Sequence, residues 1–479
     1  MASSPLVDQL TASGGVEQAG WLNNLVEQLW PNICVAGAQM IKDVVEPILA
    51  STLPGPLKNL KFVKLDLGSV PLTFTNVDVQ KTTSQGIKLD MDVNWHGACD
   101  MELDGSGVPK VGIEKVHLKG RISILLGPLT NIIPLIGAAQ VSFINPPYLE
   151  MDFTDAANIA DSFLIKKTVR KTVLGIIEGM AVLPNRFLVK LDTNNDYFKT
   201  YQPHLGTVRL TVEKATGIAG PKKKSGVSRL ISKVIKDVPD CYVKVKVGAS
   251  EEWRSSTQKN NTEPVWNESH DFLVADFDQL IDLNIQDDDV GSDDEIGLGH
   301  TTVKDVLLNG GSKEITLTHQ GEPTDAKLTV HAKFYHFVAE QAALSTQSES
   351  PDQIVGLVTI LVASALGLQG QRDELNPSVA ITWGTSKFQT TVQTYSPGMD
   401  IFNPAFDQPF QVPITAEMLA SPAAFKIALM NKTAETGSVE VPFQDVLSAP
   451  GWVREDSFDV GGGAKVRAQI SVHGLQLAE

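Results

Sequence analysis

Between Asp287 and Glu295 six acidic side chains occupy nine positions, Asp287-Asp288-Asp289-Val290-Gly291-Ser292-Asp293-Asp294-Glu295, directly after the strand-like run Leu283-Asn284-Ile285. At about 5 Å each carboxylate pair costs roughly 1 kcal/mol in water and about 3 kcal/mol at an effective dielectric near 20. An ordered loop of this kind suits a hard cation, and calcium takes about 6–8 oxygens from flexible loops. A solvated acidic loop without an ion is the other reading. Upstream lies the opposite charge. From Lys222 to Val238, apolar Val227, Leu230, Ile231, Val234, Ile235 and Val238 recur at helical spacing among Lys222, Lys223, Lys224, Arg229, Lys233 and Lys236. That pattern is a basic amphipathic helix fit for an anionic leaflet, where each cation gains about 1 kcal/mol. The alternative is a stripe packed on its own domain with solvated lysines. Lys244 and Lys246 either extend the basic patch or form a solvated strand face.

Catalytic constellations are missing from the sequence. It has no Gly-x-Ser-x-Gly elbow, phosphate loop or His-Glu-x-x-His pair, and scattered histidines such as His96 and His117 read as surface or core residues. No enzyme is expected. The net charge of -16, from 40 basic and 56 acidic residues, argues against bulk nucleic-acid binding. Cys34, Cys99 and Cys241 form no Cys-x-x-Cys pair and fit a reducing, cytoplasmic setting. Residues Met1 to Val16 lack a basic-then-apolar pattern, so no signal peptide is expected. Ile122 to Leu149 carries no charge, but its prolines suit strands and turns. Ile354 to Leu368 is β-forming and shorter than the roughly 20 residues a spanning helix needs.

The elements that must position these residues fall into three blocks. The first opens with a helical region, Trp21 to Ile48, with Trp21, Leu22, Leu25, Val26 and Leu29 on one buried face, a break at Pro31 and an end near Pro47. Period-two alternation follows: Ile87, Leu89, Met91, Val93 and Trp95, then Val116, Leu118, Ile122 and Ile124, predict half-buried antiparallel strands. A second helix spans roughly Ile159 to Met180. This block is therefore α+β. The polar connector Asp192 to Pro203 leads to a strand-rich second block, and the linker Ala343 to Asp352 leads to a third that repeats it in outline. Gly206-Thr207-Val208 matches Gly356-Leu357-Val358, and Pro264-Val265-Trp266 matches Pro404-Ala405-Phe406. Two such units suggest tandem β-sandwiches.

The second block resembles a C2 domain, a calcium- and phospholipid-binding β-sandwich. The resemblance is carried by Gly206-Thr207-Val208-Arg209-Leu210, Pro239-Asp240-Cys241-Tyr242-Val243-Lys244-Val245, Glu263-Pro264-Val265-Trp266-Asn267-Glu268 and Asp287-x-Asp289 with Asp294-x-Ile296-Gly297. It implies calcium ligands at Asp240, Asp287, Asp289 and Asp294, with Asp293 the neighbouring alternative. A further Asp that the family usually places early in the first loop is replaced by Ile218-Ala219-Gly220-Pro221-Lys222, which implies fewer or weaker sites. The third block is also C2-like, yet Asn376-Pro377-Ser378-Val379 and Asn431-Lys432-Thr433-Ala434-Glu435 stand where ligands would fall, and only Asp373 hints at one. Calcium is expected in the first C2 domain only.

The first block resembles the SMP domain of extended synaptotagmins through Trp21-Leu22-Asn23-x-Leu25-Val26-x-Gln28-Leu29-Trp30-Pro31, Leu67-Gly68-x-x-Pro71-Leu72 and Val182-Leu183-Pro184-Asn185-Arg186. The resemblance implies a TULIP-like α+β fold with an apolar groove for glycerophospholipid, often in a homodimer. Ile122, Ile124, Leu126, Ile133 and Leu135 are candidates for that groove and equally for ordinary core. The expected architecture is thus an SMP domain at 16–192 followed by all-β C2 domains at 203–338 and 353–477. Because the chain begins almost at its SMP-like block, a peripheral protein at endoplasmic reticulum contact sites is expected rather than an integral tether. The expected function is lipid transfer with docking on anionic membrane. The alternative is a calcium-responsive adaptor whose SMP domain only dimerises.

Overall fold

The structure, a computed structural model, describes residues 5–11, 16–53, 55–81, 86–154, 162–219, 238–289, 293–345 and 347–478. In the first domain two long strands, Ile87–Gly105 and Val108–Leu129, run antiparallel from the pair Gly105↔Val108 to the pair Ile87↔Leu126. Alternation puts Met91, Val93 and Trp95 on the covered face. Strands Ile136–Phe143 and Tyr148–Thr154 pair with opposite ends of Val108–Leu129. Helices Gly20–Thr52 and Ser162–Ala181 cover this sheet, closing a core of Trp30, Met91, Val93, Trp95, Ile122 and Leu149 joined by Val173 and Ile177.

Two expectations for the opening helix are corrected. It runs unbroken for 33 residues with Pro31 and Pro47 inside. Each proline removes one backbone donor and disfavours the helix, yet Val26, Trp30, Val45 and Leu49 are buried on either side of these positions and hold the helix in place. The buried face also differs from the expected one. Val26 is buried and Leu22 packs partly, but Trp21 is 67% exposed and Leu25 and Leu29 are exposed beside it. The helix is apolar over a wider arc than the sheet covers, so a stripe at i, i+4 and i+8 stays outside.

The second domain is a sandwich. One sheet holds Trp253–Arg254, Cys241–Val247, Leu280–Asp287 and Asp294–Thr302, and the other holds Ser312–His319, Glu322–Val338, Gly206–Thr216 and Val265–Val274. A single pairing, Leu298↔Thr318, bridges them. The third domain repeats the plan, with Ile354–Leu366 a strand rather than a membrane helix. Among the described residues no helix is long and apolar enough to cross a membrane. The two sandwiches join edge to edge, since Glu322–Val338 pairs with Ala464–Leu477 from Tyr335↔Leu477 to Val338↔Gly474. That pairing covers sheet edges that would otherwise expose unpaired backbone.

The polar connector between the first two domains is more than a spacer. Its one-turn helix Tyr197–Thr200 buries Tyr197 against Leu361 and Ala363 of the third domain. The connector thereby ties the first domain to the last.

Candidate cation and lipid sites

Three strand ends carry the acidic cluster. Cys241 pairs with Asp287, and Asp287 pairs in turn with Asp294, so Asp240, Asp287 and Asp294 gather at one end of the sandwich. Like charges directly opposite on paired strands destabilise a sheet. The protein's own donors offset part of that cost. Asp287 Oδ1 accepts from the Asp240 amide at 2.7 Å, and Asp240 Oδ1 from the Asn260 amide at 2.7 Å. The Tyr242 hydroxyl donates to Asp293 Oδ2 at 2.6 Å. Arg254 reaches Asp288 Oδ2 at 2.8 Å while its guanidinium lies 3.6 Å from the Tyr242 ring centre. The negative field is visible in its neighbours. Burial first, then Asp287 and Asp240, pushes the Cys241 thiol up to about 12, and burial with the Asp293 hydrogen bond takes Tyr242 up to about 12.

Tested against calcium, the donor set fits in kind, being all oxygen and strongly anionic. Asp288, Asp289, Asp293 and Asp294 are exposed and Asp240 and Asp287 half-buried, so an ion could reach them. Their arrangement is open. Among the described residues no three His, Cys, Asp or Glu side chains are placed to hold a metal ion together. Asp240, Asp287, Asp289, Asp293 and Asp294 thus share one end of the domain, with several of their oxygens already engaged by protein donors.

The third domain holds the same frame with different chemistry. There the Asn376 amide donates to Asn431 Oδ1 at 2.7 Å, and the Lys432 amide to the Asn376 carbonyl at 2.9 Å. This mirrors the bond from the Asp240 amide to Asp287 and the bond from the Asp288 amide to the Asp240 carbonyl, at 2.9 Å. Two aspartates are replaced by neutral amides and Asp288 by a lysine.

The basic candidates divide. Lys222, Lys223, Lys224, Arg229, Lys233 and Lys236 lie outside the described residues. Lys244 and Lys246 are half-buried on strand Cys241–Val247, on the same face as Tyr242. Lys244 lies 3.6 Å from Glu252, so its charge is partly answered within the domain.

The groove candidates also divide. Ile122 is buried, Ile124 packs against the same cluster beneath the helices, and Leu126 is half-buried at Ile87. Ile133 and Leu135 are not inward, which corrects the expectation. They sit in the hairpin between Val108–Leu129 and Ile136–Phe143, 88% and 53% exposed, because the alternation that faces Ile122 and Ile124 inward ends where the strands turn. Two indoles frame the interior: Trp30 and Trp95 meet edge to face at 6.0 Å and donate to the carbonyls of Gly68 and Val70.

Comparison with known proteins accords with this arrangement. Residues 15–192 match the synaptotagmin-like mitochondrial-lipid-binding domain, and residues 206–317 and 356–455 each match the C2 domain. The chain is 28% identical over 290 residues to extended synaptotagmin-3 of Xenopus tropicalis, which covers 59% of this chain and 31% of the relative. It is 24% identical over 460 residues to extended synaptotagmin-1 of Pongo abelii, covering 93% of this chain and 40% of the relative. The solved SMP, C2A and C2B domains of extended synaptotagmin 2 superpose with a TM-score of 0.65 at 22% identity, over 96% of this chain and all of that one. The chain is extended synaptotagmin-like. It spans about a third to two-fifths of the length of these curated relatives.

Within this SMP–C2–C2 chain the sequence left several contacts unread. Arg254 and Tyr242 lie next to the acid cluster, and the pairing of Lys244 with Arg254 and Val245 with Trp253 brings that strand alongside. Asn145 lies in the uncharged stretch from Ile122 to Leu149. It donates to the Asp278 carbonyl and accepts from the Leu280 amide, fastening the SMP domain to the first C2 domain at 3.0 and 2.7 Å. No local pattern marks such a residue, since both partners lie more than a hundred positions away.

Proposed function

We propose that this chain carries glycerophospholipid acyl chains in the apolar interior of its SMP domain and docks on anionic membrane through its first C2 domain, at contacts between membranes. The supporting observation is the joint one. A lipid-binding family match over 15–192 coincides with a sheet and two helices closed over an apolar cluster. Two long acyl chains in bare water would cost on the order of 25 kcal/mol at about 0.8 kcal/mol per methylene, so a carrier must enclose them. Ile122, Ile124 and Leu126 would lie along that enclosure. The working division is an SMP domain at 16–192 and C2 domains at 203–338 and 353–477.

Calcium would bind the first C2 domain through Asp240, Asp287, Asp289 and Asp294, with Asp293 the neighbouring alternative. When bound it neutralises charge that repels an anionic leaflet, and Lys244 with Lys246 and the segment bearing Lys222, Lys223, Lys224, Arg229, Lys233 and Lys236 supply the attraction. The exposed stripe Trp21, Leu25 and Leu29 suits a second SMP domain. The chain would act peripherally on endoplasmic reticulum contacts, without catalysis.

The test is mass spectrometry of the purified chain for copurified glycerolipid, joined to transfer of a fluorescent phospholipid between liposomes. Lipid in the protein and movement between vesicles are expected. A folded chain that holds none and moves none is instead a calcium-responsive adaptor whose SMP domain serves dimerisation.

A further inference from the structure

The hairpin that connects Val108–Leu129 to Ile136–Phe143 presents a cluster of apolar side chains to the outside. Leu129 is 42% exposed, Ile132 70%, Ile133 88% and Leu135 53%, and Leu191 on the neighbouring chain segment adds another at 45%. Leu191 is held there by its amide, which donates to the Gly137 carbonyl at 3.0 Å. Isolated exposed apolar residues are ordinary, but a contiguous group marks a contact.

Part of the tip's backbone is bonded within the tip. The Thr130 amide donates to the Leu135 carbonyl at 2.8 Å and the Leu135 amide to the Ile132 carbonyl at 2.6 Å. The Thr130 hydroxyl donates to the same Ile132 carbonyl at 3.0 Å. Groups bonded in this way can leave water at little cost, which is the condition for entering hydrocarbon. No charged side chain occurs from Ile122 to Leu149. Among the described residues, charge lies at the base, where Lys199 borders the same small cleft as Gly127 and Pro128, and Asp192 follows Leu191. A tip that is apolar apart from the exposed Asn131, above a mixed polar base, has the profile of a side chain cluster immersed in acyl chains with its collar among headgroups. The tip lies beyond the last strand pair Leu129↔Ile136, and residues 131–135 are all exposed. A flat protein face would cover one side of it, whereas fluid lipid can surround it.

We propose that this hairpin tip inserts into a lipid leaflet, giving the SMP domain a membrane contact of its own that needs neither calcium nor anionic headgroups. The inference concerns docking and holds whether or not the domain carries lipid.

The experiment uses the full chain with neutral phosphatidylcholine vesicles, chelator and 0.5 M salt, which suppress attraction through the acidic and basic loops. Wild type should sediment with vesicles, and Ile132→Ser with Ile133→Ser should weaken partitioning by at least about tenfold, because two large apolar side chains are lost from the hydrocarbon. Ile133→Trp, which keeps an apolar tip, should bind at least as well as wild type and show quenching of the added indole by nitroxide-labelled lipid. The melting temperature of the serine variant serves as the folding control. Equal sedimentation of wild type and the serine variant, or an unquenched indole, would overturn the proposal. So would a serine variant that sediments normally but changes from dimer to monomer, which would make the tip an interface between copies. Lipid transfer is read separately, so failure of cargo carriage leaves this result interpretable.

Discussion

Lys88 Nζ, on the SMP sheet, lies 2.6 Å from Asp276 Oδ2 of the first C2 domain and 2.8 Å from Asp90 Oδ2 of its own. Asp90 and Asp276 are buried and Lys88 is half-buried. Burial alone would raise the Asp276 carboxyl, but the Lys88 ammonium, the Asp278 amide and the Arg186 charge outweigh it and hold Asp276 below the usual range. Asp90 goes the other way, raised by burial and by the charge of Asp276. The domains are therefore joined by one cation between two carboxylates. Lys88→Met should destabilise the chain by about 3–5 kcal/mol, because it strands buried negative charge. Urea unfolding at neutral pH measures this, and the loss should shrink at acid pH as the carboxylates take up a proton.

His204 gives the contact between the two C2 domains a pH dependence. Burial, then the charge of Arg186, pulls its pKa from 6.5 to about 4. Its Nδ1 accepts from Gln411 of the third domain at 2.8 Å. A depressed folded-state pKa means that the unfolded chain takes the proton first. Stability is present above about 6.5 and lost as pH falls towards about 4, by up to about 3 kcal/mol. His204→Gln should remove this slope. Melting curves of wild type and variant between pH 7 and 4 decide the matter, and parallel curves would show that His204 is not the group responsible.

Calcium should raise the melting temperature of wild type and give binding heat on calorimetry. Asp287→Asn with Asp289→Asn should abolish both while preserving the fold. The third domain is the precedent for that last point, since Asn431 accepts from the Asn376 amide just as Asp287 does from Asp240. An unchanged titration in the double variant would remove these residues from the site.

Arg254 should act as a brake on calcium. Its guanidinium neutralises Asp288 and stands over Tyr242 at the edge of the acid cluster. Arg254→Gln should tighten calcium binding by roughly three- to tenfold at low salt, with the gain shrinking as salt rises. Weaker binding in the variant would mean that Arg254 supports the loop more than it repels the ion.

Much of this architecture was open to reading in the sequence, because the signals are local. Strand alternation at Met91, Val93 and Trp95 and the repeated Gly-x-Val and Pro-x-aromatic positions follow from side chains that alternate faces with period two. The acidic run and the loss of its counterpart at Asn376 and Asn431 were equally plain, since charge is carried by residue identity. Facing direction was not. Trp21, Leu25 and Leu29 share a helical face with the right composition for burial, but only the packed sheet selects the Val26 and Trp30 side. Ile133 and Leu135 continue an apolar stretch past the point where the strand ends. The cooperation of distant residues was least legible. Arg186 is one member of a short motif in the chain, and the fold places its charge among Asp276, Tyr201, Asp90 and His204. Composition and periodicity act over a few residues and so determined the domains and their order. Which charges are buried together depends on surfaces brought from far apart in the chain, and that was decided only when the three domains packed.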